Sequence, residues 1–426
     1  KLDSTDRSWF AKTHQNLKNK TIAYLSMEYG IHNSVKIYSG GLGILAGDHL
    51  KESSDLGLPL VAVGFLYEEG YFTQELPIDG WQKAHYKGAD FQNLPITEVK
   101  DPSNQEKDLI ISINFNDLIV KVKIWLMNIG SVKLFLMDTN INENPPWDRD
   151  LTGRLYGGSE ELRLKQEKIL GIGAVRLFKK LNITPTMYHL NEGHCGFSSI
   201  ERIRDLMLEG KSFSESLNIV RKKTLFTTHT PVPAGHDIFP FNLIETYFDQ
   251  IYIRDIGREN FFSLGSYEFT GKTAGFNMTA LGIRTSKYVN AVSKLHGDVS
   301  YEMFKPLWEK IEQKYGTDYH PFTYVTNGIH VPSFVGENIQ LLLDSLDSNW
   351  RENHDDPNYW KSLLDSKNLS DELLWTFHNK SKNEMFRMIR ETSRRKIQNG
   401  DWDSRKSLLN GVLLDPKALT LGFARR

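Results

Sequence analysis

Between residues 21 and 65 the chain runs apolar segment, glycine-rich loop, helical segment and apolar segment, and this succession constrains the fold more than any other feature. Residues 21–26 (TIAYLS) form a short apolar run of strand length. Gly40-Gly41-Leu42-Gly43 follows, and residues 44–56 then carry helical spacing up to Gly57. After Pro59, residues 60–65 (LVAVGF) form a second apolar run. A strand–helix–strand unit of this kind sets its two strands parallel in one sheet, because the crossover must return to the same edge. Residues 186–190, 224–228 and 323–325 are further short strands, each running straight into a polar cluster. Residues 109–115 and 118–127, joined by Asn116-Asp117, differ: they read as a hairpin. Ile119, Lys121 and Lys123 alternate there with Val120, Val122 and Ile124, which predicts an antiparallel insertion with one buried face. Ser159 is placed as an N-cap ahead of a stripe of Leu162, Ile169, Leu170 and Leu177, and residues 373–389 predict a long helix ending near Gly400. The fold class is α/β, with a mainly parallel sheet and an antiparallel insertion. Ligands of such sheets bind beyond the carboxyl ends of the strands, where these polar clusters sit.

Composition removes several classes of function. Lys and Arg number 52 against 53 Asp and Glu, a net charge of −1. A sequence-independent nucleic-acid binder needs basic excess to displace counterions, so no nucleic-acid partner is expected. No run of 18 apolar residues occurs, so no membrane-spanning helix is expected. The one cysteine, Cys195, allows neither an intrachain disulfide nor a cysteine-rich metal site, and fits a reducing cytoplasm. At 426 residues the chain is too long for one ordinary core. It starts at Lys1, and residues 419–426 (LTLGFARR) read as an apolar strand ending in two cations, the pattern expected of a piece cut from a longer protein.

Five clusters could carry chemistry. Gly40, Gly41, Leu42 and Gly43 precede a helix, so their amides and the helix dipole could cradle an anion. They could equally be a tight turn needing positive φ, and they match neither a P-loop nor the dinucleotide fingerprint. His189-Leu190-Asn191-Glu192-Gly193-His194 and Thr227-Thr228-His229-Thr230-Pro231, running on to His236-Asp237, each end a strand. Imidazoles, amides and carboxylates there suit a polyhydroxylated ligand. A His/Glu metal site competes less well, because the histidines lie in separate loops without a His-Glu-x-x-His helix, so no metal is expected. Any single histidine is more often a satisfied structural residue. Thr326-Asn327-Gly328-Ile329-His330 is first of all a turn signal. Arg425-Arg426 could grip a phosphate or be ordinary terminal charge. Most of the nine tryptophans are expected in cores; Trp81, in Asp79-Gly80-Trp81-Gln82, is the one placed as a candidate sugar platform.

Taken together these segments resemble the α-glucan (glycogen/starch/maltodextrin) phosphorylase family, especially its shorter prokaryotic branch. The resemblance is carried by YLSMEYGIHNS at 24–34, YSGGLGILAGDHLKESSDLGLPLVAVGFLY at 38–67 and EGYFTQELPIDGWQ at 69–82. It continues in ELRLKQE at 161–167, HLNEGHCGF at 189–197, TLFTTHTPVPAGHD at 224–237 and FNMTALGIRTSKYVNAVSKLHG at 276–297. TNGIH at 326–330 and LTLGFARR at 419–426 complete it, in the family's order and along nearly the whole chain. The resemblance implies a GT-B-like architecture of two Rossmann-like lobes, with residues 1–417 as the amino-terminal lobe and 418–426 as the first strand of its carboxy-terminal partner. It implies phosphorolysis of terminal α-1,4-linked glucose to glucose 1-phosphate with retention, using inorganic phosphate and pyridoxal 5′-phosphate (PLP).

Site roles follow residue by residue. Gly40 and Gly43, with Gly41 and Leu42, match the glycine loop near the phosphates. His229 matches the histidine that serves the reacting glucose, Thr230 follows it in the same loop, and Asn327 matches the asparagine that bonds a glucose hydroxyl. Asn191, Glu192 and His194 match an acceptor-side loop in which many members have Asp-Thr where this chain has Glu192-Gly193. Arg425 and Arg426 match the start of the phosphate-binding segment. The family's Schiff-base lysine lies in the second lobe and matches no lysine of this chain, so the 426 residues alone are expected to be inactive. Oligomeric state stays open, a homodimer included. Two other functions remain: a nucleotide-sugar glucosyltransferase of glycogen-synthase type, which shares a Gly-Gly-Leu loop, and a non-catalytic glucan-binding module. A hydrolase would need a pair of carboxylates flanking the scissile bond, and no such pair is assigned.

Overall fold

The strand–helix–strand unit forms in the parallel sense. β1 (Ile22–Leu25) and β2 (Leu60–Phe65) pair in the register Ile22↔Leu60 to Leu25↔Val63, joined through helix α1 (Gly41–Leu56). The helix begins at Gly41, not residue 44, so Gly41, Leu42 and Gly43 are its first turn rather than a loop. Gly57 ends it with φ 73°, a left-handed conformation that a Cβ would resist. α1 packs so closely on the chain leaving β1 that a Cβ on Gly47 would stand 2.1 Å from the Gly30 carbonyl oxygen.

The computed structural model describes residues 8–75, 81–268, 274–315, 322–354, 356–398 and 414–422. The other strands of the main sheet are β3 (Thr97–Glu98), β4 (Ile110–Phe115), β5 (Leu118–Ile129), β6 (Val132–Asp138), β7 (Met187–Asn191), β8 (Thr224–Thr228), β9 (Tyr288–Ala291) and β10 (Phe322–Tyr324). This 10-stranded sheet runs β10-β9-β8-β7-β1-β2-β6-β5-β3, with β4 also paired to β5. Every neighbouring pair from β10 to β6 is parallel, and the pairs β6–β5, β5–β4 and β5–β3 are antiparallel. The expected hairpin is therefore the antiparallel margin of the main sheet. Asn116 takes φ 52° in its turn, and Val120, Val122 and Ile124 are buried while Ile119 is exposed, as the alternation requires.

Helix α2 (Glu160–Lys180) is buried over most of its circumference. The Ser159 hydroxyl accepts from the Leu162 amide at its start, Glu160 and Glu161 sit in its first turn, and Lys179 and Lys180 in its last, the arrangement that complements a helix dipole. Helices α3 (Phe197–Leu208) and α4 (Phe213–Lys222) connect β7 to β8, the latter opened by a Ser212–Glu215 capping box.

The chain divides into two compact units, residues 1–72 with 86–328, and residues 73–85 with 329–426. The first contains the whole main sheet. The second contains a two-stranded hairpin (Thr73–Glu75 with Lys83–His85) and helices gathered on Leu343, Trp350 and Leu363. Its long helix spans Asp371–Gln398, and the expected end near Gly400 falls outside the described residues. Trp81 belongs to this unit and is 78% exposed. Residues 418–422 form no strand among the described residues; the Ala418 carbonyl accepts from Lys382 Nζ, and Leu419 and Leu421 stand in solvent. Among the described residues no helix is long and apolar enough to cross a membrane.

The contact at Gly47 has a measurable consequence. Gly47→Ala should destabilise the fold by about 1–3 kcal/mol, since only backbone could yield to the added methyl. A lowered thermal-unfolding midpoint is expected, and an unchanged one would refute the close packing of α1.

Candidate active site

The carboxyl ends of β1, β7, β8 and β9 finish level with one another, with Leu25 beside Leu190, Asn191 beside Thr227 and Thr228 beside Ala291. The polar clusters leave the sheet along this edge, so residues far apart in sequence come together.

His229 is the best defined of them. Its backbone N–H donates to Glu192 Oε2 at 2.7 Å, and its ring Nε2 lies 2.6 Å from Asn191 Oδ1. Asn191 Nδ2 in turn donates to Ser26 Oγ at 3.1 Å, and Ser26 Oγ donates to the Glu28 carbonyl at 2.9 Å. This sequence of donors assigns the proton of the ring to Nε2 and leaves Nδ1 as the acceptor of a neutral imidazole. Burial pushes the His229 pKa down to about 4, with His296 and His194 adding to the effect. Asn191 is buried and both ends of its amide are occupied, so it positions the histidine from behind. Thr230, on the exit from β8, is half-buried.

Glu192 takes φ 73°, ψ 172°, a conformation that costs a non-glycine residue roughly 1–3 kcal/mol and clusters at functional sites. Burial raises its pKa, against the pull of His194 and of the His229 amide. His194 lies 3.4 Å from Asp237 Oδ2 through its Nε2, while its buried Nδ1 has no hydrogen-bond partner among the described residues. Arg163 Nη2 donates to the same Asp237 oxygen at 2.6 Å. Glu167 completes the group, with ligand atoms of Glu167, His194 and Asp237 all within 4.8 Å of one another. Burial pushes Glu167 well up, and the neighbouring Asp237 charge adds to it. Burial works against the Asp237 carboxylate too, but His194 and Arg163 outweigh it and hold Asp237 well below the usual range. Three such donors could hold a cation, yet the positive charge in their midst is already the Arg163 guanidinium.

At the glycine turn, Glu28 does what the sequence reading assigned to no residue. Its Oε2 accepts from the amides of Ser39 (2.6 Å) and Gly40 (3.2 Å), and its Oε1 accepts from the Tyr156 hydroxyl at 2.7 Å. The first two amides of the turn are thus consumed internally. None of Gly40, Gly41 and Gly43 has positive φ, so the tight-turn explanation fails. Gly43 is needed for close approach instead: a Cβ there would stand 2.6 Å from both Glu28 Oε2 and Tyr38 Cβ. Gly41 faces open space, with nothing within 4 Å of where its Cβ would be. The helix has no side-chain cap at Gly40, so the first-turn amides at Gly41 and Leu42 can donate to an anion at this edge.

Asn327 follows β10, and its amide donates to the Val292 carbonyl at 3.0 Å, which holds the turn beside the end of β9. Its side chain is exposed and makes no hydrogen bond among the described residues. Arg425 and Arg426 lie outside the described residues. Lys168, buried and with its pKa lowered by burial, could be mistaken for a cofactor lysine. It lies over the Phe115, Phe248 and Tyr252 rings and donates to the Tyr247 carbonyl, which makes it a structural group.

No family model matches the chain. It is 40% identical over 423 residues to the maltodextrin phosphorylase of Thermococcus litoralis, an alignment covering 99% of this chain and 48% of that protein. It is 38% identical over 421 residues to the glycogen phosphorylase of Aquifex aeolicus, covering 97% of this chain and 58% of that one. The chain belongs to the α-glucan phosphorylase family. A third phosphorylase, the glycogen phosphorylase of Mycobacterium tuberculosis, is 38% identical over 422 residues. The chain spans about half the length of the curated relatives it matches.

The neutral histidines of this chain make its stability depend on pH. His49 and His229 both titrate at about 4 instead of 6.5, because burial disfavours their charged forms. The unfolded chain therefore takes up protons that the folded one refuses as pH falls from 6.5 toward 4. Each histidine should withdraw up to about 3 kcal/mol of stability over that window. Chemical unfolding at pH 6.5 and pH 4.5 should show a smaller loss for His229→Gln than for the parent chain. An equal loss would remove His229 from the buried neutral class.

Proposed function

We propose that the protein containing these residues is an α-1,4-glucan phosphorylase, transferring a terminal glucose of maltodextrin or glycogen to inorganic phosphate as glucose 1-phosphate with retention. The match to maltodextrin and glycogen phosphorylases along 95–99% of the chain carries this reading. The chemistry of the site supports it. Glu28 and Glu192, the carboxylates nearest His229 and the glycine turn, each accept main-chain amides, a commitment that suits scaffold groups better than the free acid and nucleophile of a hydrolase.

In this reading His229 meets the reacting glucose as a neutral ring, its Nε2–H held by Asn191 and its Nδ1 able to accept from a sugar hydroxyl. Asn327, exposed on the same sheet edge, bonds another hydroxyl. The amides of Gly41 and Leu42 donate to an oxyanion at the start of the 16-residue helix α1. That uncapped start beside open space suits a phosphate, whether of substrate or of pyridoxal 5′-phosphate. When bound, the cofactor supplies a phosphate acid–base group beside the substrate phosphate. Glu192 and His194 border the acceptor side, with the Arg163–Asp237–Glu167 group fixing the His194 ring. Arg425 and Arg426 are assigned to substrate phosphate, and residues 1–417 to the amino-terminal lobe of a two-lobe enzyme. Cys195, buried and unpaired with its thiol pushed up by burial, suits a reducing cytoplasm.

Kinetics on the whole protein that contains these residues test the assignment. His229→Ala should lower kcat/KM for phosphorolysis by roughly 10- to 100-fold, the value of one or two hydrogen bonds at the reacting sugar, while the unfolding midpoint holds. Near-normal turnover of that variant would exclude His229 from the site. Turnover only with a nucleotide-glucose donor would replace the phosphorylase reading with a glucosyltransferase.

A further inference from the structure

The opposite, amino-terminal ends of β7 and β8 border a second cavity. It has a volume of 660 Å³, within the range of small-molecule sites. Tyr188, near the start of β7, and Arg202, on α3, are among the residues that line it. The residues proposed to meet substrate lie at the other ends of these same strands, so the cavity belongs to a separate place on the sheet.

Arg202 sets its chemistry. The residue is only 8% exposed. Its guanidinium lies 3.8 Å from the centre of the Tyr188 ring, Nη1 donates to Thr224 Oγ1 at 2.9 Å and Nη2 to the Val220 carbonyl at 3.4 Å. All three partners are neutral. The acids of the surrounding helices are otherwise engaged: Glu201 with Arg176, Asp205 with Lys179 and Glu209 with Lys211. Burial without a counter-charge draws the Arg202 pKa down to about 10. Buried charges in proteins are as a rule paired, because desolvation otherwise disfavours the charged form. Lys223, exposed at the rim, adds a second cation that makes no ion pair with a described residue. Phe178, Ile183 and Leu206 supply an apolar wall.

We propose that this cavity binds a small organic anion, with a phosphate or carboxylate head group paired to Arg202 and an apolar body against Phe178, Ile183 and Leu206. A bidentate guanidinium contact would satisfy the charge that the protein leaves unbalanced, and Lys223 would add attraction at the mouth. The inference rests on this cavity alone and does not depend on the phosphorylase reading.

Calorimetric titration of the 426-residue chain tests it with phenyl phosphate, benzoate, benzyl alcohol and inorganic phosphate as probes. At least one of the two aromatic anions should bind saturably, and more tightly than inorganic phosphate. The tighter of the two identifies the head group. Benzyl alcohol, which lacks the charge, should not bind over the same concentrations. Arg202→Met, which keeps the stem and removes the charge, should weaken the anion at least tenfold. Ile183→Trp, which fills the apolar wall and leaves the cation in place, should block it as well, and this second variant keeps the test decisive should Arg202→Met fail to fold. The proposal is overturned if neither aromatic anion binds, if benzyl alcohol binds as tightly, if inorganic phosphate binds as tightly at a site that Ile183→Trp blocks, or if either variant, once shown to be folded, binds the anion like the parent.

Discussion

The grip of Asn191 and Glu192 on His229 is the constraint around which the site is built. One bond fixes the main chain of the histidine and the other fixes its ring, and both come from the end of the neighbouring strand, Asn191 as its last residue and Glu192 as the one after it. The two contacts exist only because β7 and β8 are parallel and end level. Asn191 extends the grip to β1 through Ser26, so three strands set the orientation of one imidazole. An antiparallel pairing anywhere in this part of the sheet would send one of the loops to the other edge.

Around that centre the protein handles buried charge in two ways. Some groups are balanced locally: Glu28 by two main-chain amides and a phenol, and Asp237 by Arg163. Others are kept neutral, as with His49, His189 and His229, whose charged forms burial disfavours. A site assembled from neutral imidazoles, amides and main-chain donors is suited to hydroxyls and to a phosphate that brings its own charge. Arg202 fits neither way, and for that reason it marks a different place on the molecule.

Much of this was legible from the sequence because it is local. The β1–α1–β2 unit, the turn at Asn116-Asp117, the Ser159 cap and the polar clusters at strand ends all follow from runs of a few residues, and the quoted motifs identified the family. The parts that escaped depend on distance along the chain. Arg163 and Asp237 are 74 residues apart, and Tyr156 reaches Glu28 across 128, so no spacing reveals either contact. The start of α1 was misplaced because glycines weaken the helical pattern, while Glu28, which holds the amides just before them, lies outside it. The positive φ of Glu192 left no trace either, since glutamate gives no conformational signal of the kind glycine does.

The central claim is that this sheet edge belongs to an enzyme that passes glucose to phosphate with retention. Phosphorus NMR of the whole protein that contains these residues, incubated with maltoheptaose, inorganic phosphate and pyridoxal 5′-phosphate, reads that claim directly. The account predicts a growing resonance of α-glucose 1-phosphate that needs all three additions. Release of free glucose without phosphate, or formation of the β-anomer, would contradict it.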